Sequence, residues 1–253
     1  MKPGDTLVVE ARDLDVLLGA LRERGHTLLG PTVRDGAIVL GEIEGASDLP
    51  AGWTDEQEGG RYRLKRREDA AFFGYAAGPH AWKRYLHPPA LVRWRARRDA
   101  SGFVAEPDTA TPPRHAFVGV RPCELAAILV QDRVFLGGPF VDPAYRSRRE
   151  SAFVLAVSCG FPSGTCFCAS MGTGPKAGEG FDLAATEVLA DGRHDLVIEV
   201  GTERGAEVAE AAPHRPAEAA DLYAARAVLA AAEGKMGRSL DTEGLKDALY
   251  RHY

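Results

Sequence analysis

The chain has 253 residues, enough to bury a sizeable hydrophobic core, and its 31 basic and 36 acidic side chains give a formal net charge of -5. An acidic chain has no general attraction for nucleic acid or anionic lipid. No apolar run approaches the roughly 20 residues of a membrane-spanning helix, and the first residues lack the apolar core of a signal peptide. We therefore expect a cytoplasmic protein with reduced thiols, without a nucleic-acid partner or a membrane span.

The first half of the sequence alternates strand-like and helix-like patterns. Strands are predicted over Thr6–Glu10, residues 37–43 and, after a turn, residues 59–64. Asp13 stands where it could cap a helix over residues 14–24. Residues 99–114 are rich in proline, serine, threonine and glycine, which predicts a surface loop.

The pattern becomes sharper after this loop. His115–Val120 is a short buried-strand run, and residues 151–157 are a second. Between them, residues 124–135 have helical spacing, with the following apolar side chains near one face: Leu125, Ile128, Leu129 and Val134. A strand–helix–strand unit predicts a parallel pair of strands with a right-handed connection.

The last third of the sequence combines a long loop, a hairpin and helices. Residues 160–180 form a Gly-rich loop, and two strand-like runs (181–189 and 194–200) flank the turn signal Asp191-Gly192. Helices are predicted over residues 217–232 and 241–252, the second with Asp241 placed to cap its start. These elements predict an α/β fold: a mixed sheet, flanking helices, a Gly-rich cysteine-bearing loop and a helical C-terminus.

All four cysteines lie between Cys123 and Cys168. Cys123 follows the first buried strand at a predicted helix N-terminus, where free N–H groups and a partial positive charge favour a thiolate or an anionic cluster. Cys159 ends the second buried strand. Cys166 and Cys168 flank Phe167, so in extended backbone the two cysteines face one side while Phe167 faces the other way into packing.

Glycines surround these cysteines. Gly160, Gly164, Gly172 and Gly174 would let backbone N–H groups approach the sulfur atoms of a cluster. In the folded chain we expect the four cysteine sulfurs to converge around one small volume. The residue pattern therefore predicts a metal site with the four cysteines as ligands.

Other interpretations of the cysteines stay open at this level. A single free cysteine is often a small core hydrophobe, although four at strand ends and in one loop favour a metal. Four thiolates also suit structural zinc, but zinc sites usually contain paired Cys-x2-4-Cys knuckles, which this spacing lacks. A nucleophilic cysteine is the weakest interpretation, because no nearby histidine and acid form an evident triad.

One segment resembles a known family. Residues 119–128, Gly-Val-Arg-Pro-Cys-Glu-Leu-Ala-Ala-Ile, resemble the segment GVRPCDLxAI of sulfhydrogenase beta subunits and of the A subunit of anaerobic sulfite reductase. Both belong to the 4Fe-4S dicluster electron-transfer proteins. The likeness continues over residues 79–89, 141–149, 159–174 and 182–183.

The resemblance implies a [4Fe-4S] cluster held by the four cysteines and tuned by Arg121, Gly160 and Gly164. It implies an electron-transfer component of a cytosolic oxidoreductase of the hydrogenase, sulfur-reductase or sulfite-reductase type, with the chemistry on a partner chain. In that family a ferredoxin-like module with two Cys-x2-Cys-x2-Cys-x3-Cys-Pro runs follows this domain, and the present sequence contains neither run. The expected partner is therefore a ferredoxin-like module or a redox partner subunit.

We accordingly expect a cluster-binding α/β domain over residues 1–215 and a helical C-terminal connector over residues 216–253. The alternative is a non-redox module, zinc-binding or metal-free, that joins subunits. Arg121, Arg148 and Arg149 either form surface salt bridges, with Glu124, Asp142 or Glu150 as partners, or compensate the charge of a cluster or take part in docking. Residues 82–98 mix basic and aromatic side chains, as nucleic-acid surfaces do, but the acidic net charge favours a solvated amphipathic face or a subunit contact.

Overall fold

The computed structural model describes residues 1–76, 78, 80–100, 102–107, 111–190 and 192–252. The first half contains β1 (Thr6–Glu10), α1 (Leu14–Glu23), β2 (Thr27–Arg34), β3 (Ala37–Glu42), β4 (Trp53–Glu58), β5 (Arg61–Arg66), α2 (Lys83–Leu86), β6 (Trp94–Asp99) and β7 (Gly102–Pro107). The second half contains β8 (His115–Val120), α3 (Pro122–Leu136), α4 (Pro143–Ser151), β9 (Phe153–Val157), β10 (Leu183–Ala190), β11 (Arg193–Val200), α5 (Glu203–Ala209), β12 (Arg215–Pro216), α6 (Ala219–Glu233) and α7 (Leu245–Arg251).

Eight of these strands form one mixed sheet, in the order β12–β1–β11–β10–β9–β8–β2–β3. Its centre is parallel, because β8 pairs with β2 on one side and with β9 on the other, and β9 pairs with β10. Antiparallel strands complete the sheet, with β3 at one edge and β11, β1 and β12 towards the other. The α/β class and the predicted parallel pair, β8 and β9, are confirmed.

Helices cover both faces of the sheet, as buried parallel strands require. On one face α1 packs through Leu17 into the same core as Phe153. On the other face α3 packs through Leu125 into the same core as Val154. Phe153 and Val154 are consecutive in β9 and therefore point to opposite faces. α6 contacts β10 and buries Ala225 in a third, smaller cluster.

Several elements were not predicted: the strands β2, β4, β6, β7 and β12 and the helices α2, α4 and α5. β2 contains Gly30 and Pro31, which read as turn residues in the sequence. Only Thr27–Leu29 of this strand pair with β8. Pro31 lies beyond that stretch, opposite Leu40 of the edge strand β3, and so a proline is tolerated here.

The prediction of a loop over residues 99–114 is wrong for part of that segment. Gly102–Pro107 form β7, which pairs with β6 from Trp94 opposite Pro107 to Asp99 opposite Gly102. Phe103 and Val104 supply strand propensity inside a polar, glycine-containing composition. The result is a two-stranded hairpin separate from the main sheet.

Three details of the predicted helices also differ. Val134 is 65% exposed and so does not lie on the buried face of α3. Asp13 stands at the N-cap of α1 but its side chain accepts no capping hydrogen bond. Asp241 does not cap α7, because that helix starts after Gly244 and the Asp241 carboxylate accepts the N–H of Glu243 instead, at 3.0 Å.

Some predicted positions lie outside the described residues, namely Asp191 of the hairpin turn, residues 101 and 108–110 of the predicted loop, and residues 79 and 253. The strands on both sides of that turn, β10 and β11, pair antiparallel as predicted. In the described part of the chain, no helix is long and apolar enough to cross a membrane.

Candidate metal centre

The two cysteines predicted at strand ends lie at one edge of the sheet. Cys123 is in the first turn of α3, directly after β8, and Cys159 follows β9 with one residue between. Because β8 and β9 are neighbouring parallel strands, their carboxyl ends reach the same edge. Ligands of open α/β sheets bind outside this edge.

Gly119 gives β8 an irregular end. Its φ of +86° lies in the left-handed region, and the strand shifts its register at this residue. A methyl group here would lie 3.0 Å from Cε1 of Phe73. Two residues later, Arg121 is directed into the interior, where it is only 2% exposed.

The start of α3 is fixed by the two residues that flank Cys123, namely Pro122 and Glu124. Pro122 occupies the first helical position, where a missing N–H costs nothing. Glu124 reaches back so that its Oε2 accepts the N–H of Arg121 at 2.9 Å. This arrangement holds Cys123 among the free N–H groups of the helix N-terminus.

Arg121 is a buried cation with incomplete hydrogen bonding. Its Nη2 donates to the carbonyl oxygens of Phe73 at 2.7 Å and Tyr75 at 2.8 Å. Its Nε and Nη1 are buried and have no hydrogen-bond partner among the described residues. Burial disfavours its charge, but the nearby Tyr75, Cys159, Glu124 and Glu187 raise the pKa of this guanidinium. A buried charge is costly unless an opposite charge compensates it.

The segment that supplies these carbonyl oxygens is itself anchored. The buried carboxylate of Glu187 in β10 accepts the N–H groups of Phe72 at 2.7 Å and Phe73 at 2.9 Å. The carboxylate of Asp55 in β4 accepts the N–H of Ala76 at 2.8 Å. The guanidinium is therefore held by backbone that the sheet fixes in place.

The cysteine loop, residues 160–180, folds back onto the sheet edge and α3. The N–H of Cys159 donates to the carbonyl oxygen of Pro175 at 2.9 Å. A Cβ atom at Gly174 would lie 3.0 Å from the Cys168 Sγ and 3.4 Å from the Pro122 Cβ. Cys168 therefore lies beside the N-terminus of α3.

Cys166 and Cys168 have different neighbours. The Cys166 Sγ accepts the N–H of Ser163 at 3.3 Å and lies 3.3 Å from its Oγ. The Cys168 Sγ lies 3.9 Å from the Sδ of Met236. Phe167 is 45% exposed, so the prediction that it faces into packing is wrong. The reason is that Cys168 already begins a turn, and the backbone here is not extended.

Two of the thiols, Cys123 and Cys168, have a raised pKa. Burial, with smaller contributions from Glu124 and the other three cysteines, raises the pKa of Cys123 to about 12, although that residue keeps contact with solvent. Burial, followed by Cys159 and Cys166, also raises the pKa of Cys168. The negative charge of one thiolate raises the pKa of a neighbouring thiol, because like charges repel. Four thiolates together therefore need a bound cation.

Cys123 and Cys159 lie at the carboxyl ends of β8 and β9, but the four cysteines do not form a complete set of metal ligands. In the described part of the chain, no group of three or more histidine, cysteine or acidic side chains is arranged to hold a metal ion. Cys123 also lines a cavity of about 250 Å³ beside Trp82 and Glu124, and none of the other cysteines is among the described residues of its wall. The convergence of the four sulfurs therefore stays a prediction.

The glycines predicted to admit a cluster have other close neighbours. A Cβ atom at Gly160 would lie 3.1 Å from Val228 of α6, and one at Gly164 would lie 3.0 Å from the carbonyl oxygen of Gln57. Both glycines make room for neighbouring elements, and their contact with a cluster stays a prediction. Gly174 borders the Cys168 sulfur directly.

Arg148 and Arg149 make local contacts. Arg149 forms an ion pair with Asp132 at 3.1 Å, a partner that was not predicted. The Nη1 of Arg148 donates to the Ala144 carbonyl oxygen at 3.1 Å, within α4. Arg149 thus joins α4 to α3, whereas Arg148 bonds within its own helix.

The sequence analysis missed two neighbours of the cysteines, Ser163 and Met236, and the Phe73–Tyr75 backbone that binds Arg121. Ser163 lies three residues before Cys166, a spacing that allows a local hydrogen bond and could have been noticed. Met236 is 68 residues from Cys168, and only the tertiary fold brings it there.

Replacing Gly119 by alanine should destabilise the protein. We expect Gly119→Ala to lower the free energy of unfolding by about 2 kcal/mol, because a Cβ atom is strained at positive φ and crowds Phe73. Gly19→Ala is the matched control: no atom comes within 4 Å of its added Cβ, and a helical glycine-to-alanine change should stabilise by about 0.5–1 kcal/mol. Urea denaturation measures both. Equal effects of the two substitutions would contradict the assigned role of Gly119.

Comparison with known proteins gives one partial match. No family model matches the chain. A segment of 89 residues is 40% identical to sulfhydrogenase 2 subunit beta of Pyrococcus furiosus. The segment is 35% of this chain and 25% of the relative, so the chain matches about a quarter of the relative's length. Over that segment the chain is similar to a hydrogenase beta subunit.

Proposed function

We propose that this chain is an electron-transfer component of an oxidoreductase and that Cys123, Cys159, Cys166 and Cys168 hold a [4Fe-4S] cluster. The observation that carries the proposal is the buried, incompletely bonded guanidinium of Arg121, which lies between the end of β8 and Cys123 in the sequence. The partial identity to a sulfhydrogenase beta subunit supports the same class of protein. The reaction of the whole complex takes place on a partner chain.

The charge balance of this edge supports an anionic group. A buried cation is expensive unless negative charge lies near it; Glu124 and Glu187 already act on Arg121, and cysteine thiolates around iron would add negative charge. The free N–H groups of the α3 N-terminus add a further preference for anions. Burial raises the pKa of Cys123 and Cys168, so a bound cation is needed to favour their thiolate forms.

The hydrogen bonds at Cys166 also suit a sulfur ligand of iron. The N–H of Ser163 points to the Cys166 Sγ at 3.3 Å, and its Oγ lies at the same distance. Donors of this kind stabilise negative charge on sulfur and influence the reduction potential of iron–sulfur proteins. When bound, a [4Fe-4S] cluster would supply one-electron transfer.

The second candidate function is a non-redox module, zinc-binding or metal-free, that joins subunits. Four thiolates can bind zinc as well as iron. The spacing of the cysteines favours iron only because it differs from the Cys-x2-4-Cys pairs that zinc sites usually contain. Anaerobically purified protein separates the two candidates. A brown colour with broad visible absorption, with iron and labile sulfide by analysis, supports the cluster, whereas colourless protein contradicts it.

Cys168→Ser should sharply lower the iron content after anaerobic reconstitution. Loss of an outer-shell partner alone costs about 10–100-fold in metal affinity, and loss of a ligand should cost at least as much. The far-UV circular dichroism should stay native, because β8 and β9 form the core without the loop. Ala169→Ser adds a hydroxyl next to the same cysteine and is the control. Full iron content in Cys168→Ser, or unfolding of that variant, would count against the cluster.

Arg121→Gln should make the reduction potential of the loaded protein more negative. A positive charge stabilises the reduced form, and its loss should shift the potential by on the order of 50 mV or more. Arg148→Gln is the control, because it removes a positive charge near the opposite end of β8. Burial lowers the pKa of His115 at that end of the strand, and Arg148 lowers it further. Potentials come from an anaerobic optical titration. Equal shifts of the reduction potential in both variants would contradict a specific influence of Arg121 on the cluster.

The cysteine loop exposes an apolar surface, which we propose as the docking site of a ferredoxin-like partner. Phe167, Met171 and Leu240 are each 40–45% exposed. Ser170 joins them, because its Oγ donates to the Phe167 carbonyl oxygen and accepts the N–H of Leu240. Electron transfer needs proximity, and this surface adjoins both Cys166 and Cys168.

Phe167→Glu should weaken docking of a two-cluster bacterial ferredoxin by about tenfold, since a charge replaces an apolar contact at the centre of the surface. Phe140→Glu is the control, because Phe140 is 90% exposed in the segment after α3. Hydrogen exchange with and without the ferredoxin measures protection of residues 165–171. Equal weakening by both substitutions, or protection confined to other regions, would contradict this docking site.

A further inference from the structure

After α6 the chain crosses the cysteine loop as a strap, residues 234–240. The N–H of Arg238 donates to the Cys166 carbonyl oxygen at 3.0 Å, and the N–H of Leu240 donates to the Ser170 Oγ at 2.9 Å. These hydrogen bonds join segments that lie about 70 residues apart in the sequence. The strap therefore closes over the arm of the loop that carries Cys166 and Cys168.

Gly237 allows the closest approach between strap and loop. A Cβ atom at this position would collide with the Gly164 backbone, so any larger residue must lift the strap. By contrast, a Cβ atom at Gly234 would come no closer than 3.6 Å to another atom, which is an ordinary contact. A methyl group would therefore displace the strap at Gly237 but would be tolerated at Gly234.

Met236 is the strap residue that contacts a cysteine sulfur. Its Sδ lies 3.9 Å from the Cys168 Sγ, and it is half-buried whereas the other strap residues are exposed. On the other side, a Cβ atom at Gly174 would lie 3.0 Å from the same sulfur. The Cys168 sulfur is therefore enclosed between Met236 and Gly174.

The strap is attached to a well-anchored helix. Asp221, near the start of α6, is only 4% exposed and accepts hydrogen bonds from Arg215 at 2.6 Å and from Arg193 at 3.2 Å. The Asp221 carboxylate also accepts the N–H of Glu218, which fixes the first turn of α6. Because α6 is held in this way, Met236 reaches the loop from a defined position.

We propose that Met236 is a positioning residue for Cys168. Its thioether holds the Cys168 sulfur beside the α3 N-terminus and shields it from solvent. A thioether suits this role because it is apolar, polarizable and able to fill an irregular gap against sulfur. The shielding of the thiol is a property of the metal-free chain, whereas its consequence for a cluster rests on the proposed function.

The test measures the reactivity of each cysteine in the reduced, metal-free full chain. Brief anaerobic pulses of N-ethylmaleimide are followed by tandem mass spectrometry, which separates Cys166 from Cys168. We expect Met236→Ala to raise the modification rate of Cys168 by about tenfold over wild type, because exposure governs thiol reactivity. Met236→Leu keeps the volume and should stay within about twofold. Cys159 is the internal reference, and its rate should not change.

A second pair of variants tests the strap itself. Gly237→Ala should raise the Cys168 rate as Met236→Ala does, because the methyl group lifts the strap, whereas Gly234→Ala should leave it unchanged. A wild-type Cys168 rate in Met236→Ala and Gly237→Ala would overturn the proposal. So would an equal rise at Cys159, since that would report general loosening.

In the loaded protein, the consequence of shielding is a longer lifetime of bound iron. Met236→Ala should lose iron in air several-fold faster than Met236→Leu, as the sulfur becomes open to oxidant. A chain that binds no iron but shows the Cys168 effect would refute the proposed function and leave the shielding intact. A chain that binds iron normally without the Cys168 effect would refute the shielding alone.

Discussion

The burial of the Arg121 guanidinium is the constraint on which this edge of the molecule depends. A positive charge at 2% exposure must be hydrogen-bonded and compensated. The structure meets the first need in part, through the carbonyl oxygens of Phe73 and Tyr75, which the Glu187 network holds in place. The carboxylates of Glu124 and Glu187 contribute to the second need, and in the proposed cluster cysteine thiolates would add negative charge. The geometry of the short segment 119–124 therefore ties the fold to the proposed chemistry.

The candidate site has a rigid side and a side closed by loops. The rigid side consists of Cys123 and Cys159. They follow neighbouring parallel strands, whose pairing fixes the positions of both residues. The other side consists of Cys166 and Cys168 in a long loop that few backbone hydrogen bonds hold. Ser163 and Met236 contact these two sulfurs, and the strap covers the loop. This division suits a site in which the loop closes on a group already seated at the sheet edge.

The exposed ring of Phe167 links the site to the surface. Its exposure beside Met171 and Leu240 forms an apolar surface next to Cys166 and Cys168, and this surface is the proposed docking site.

The sequence by itself determined the α/β class, the parallel pair β8 and β9, and the placement of Cys123 and Cys159 at their ends, because apolar runs and helix signals are local and periodic. It could not determine β2, whose Gly30 and Pro31 imitate a turn, because the pairing that tolerates them comes from distant strands. Only the tertiary structure decided that Arg121 is buried, that Phe167 faces solvent and that Met236 lies on Cys168. These facts depend on contacts between segments far apart in the chain, and such contacts leave no pattern in a single sequence.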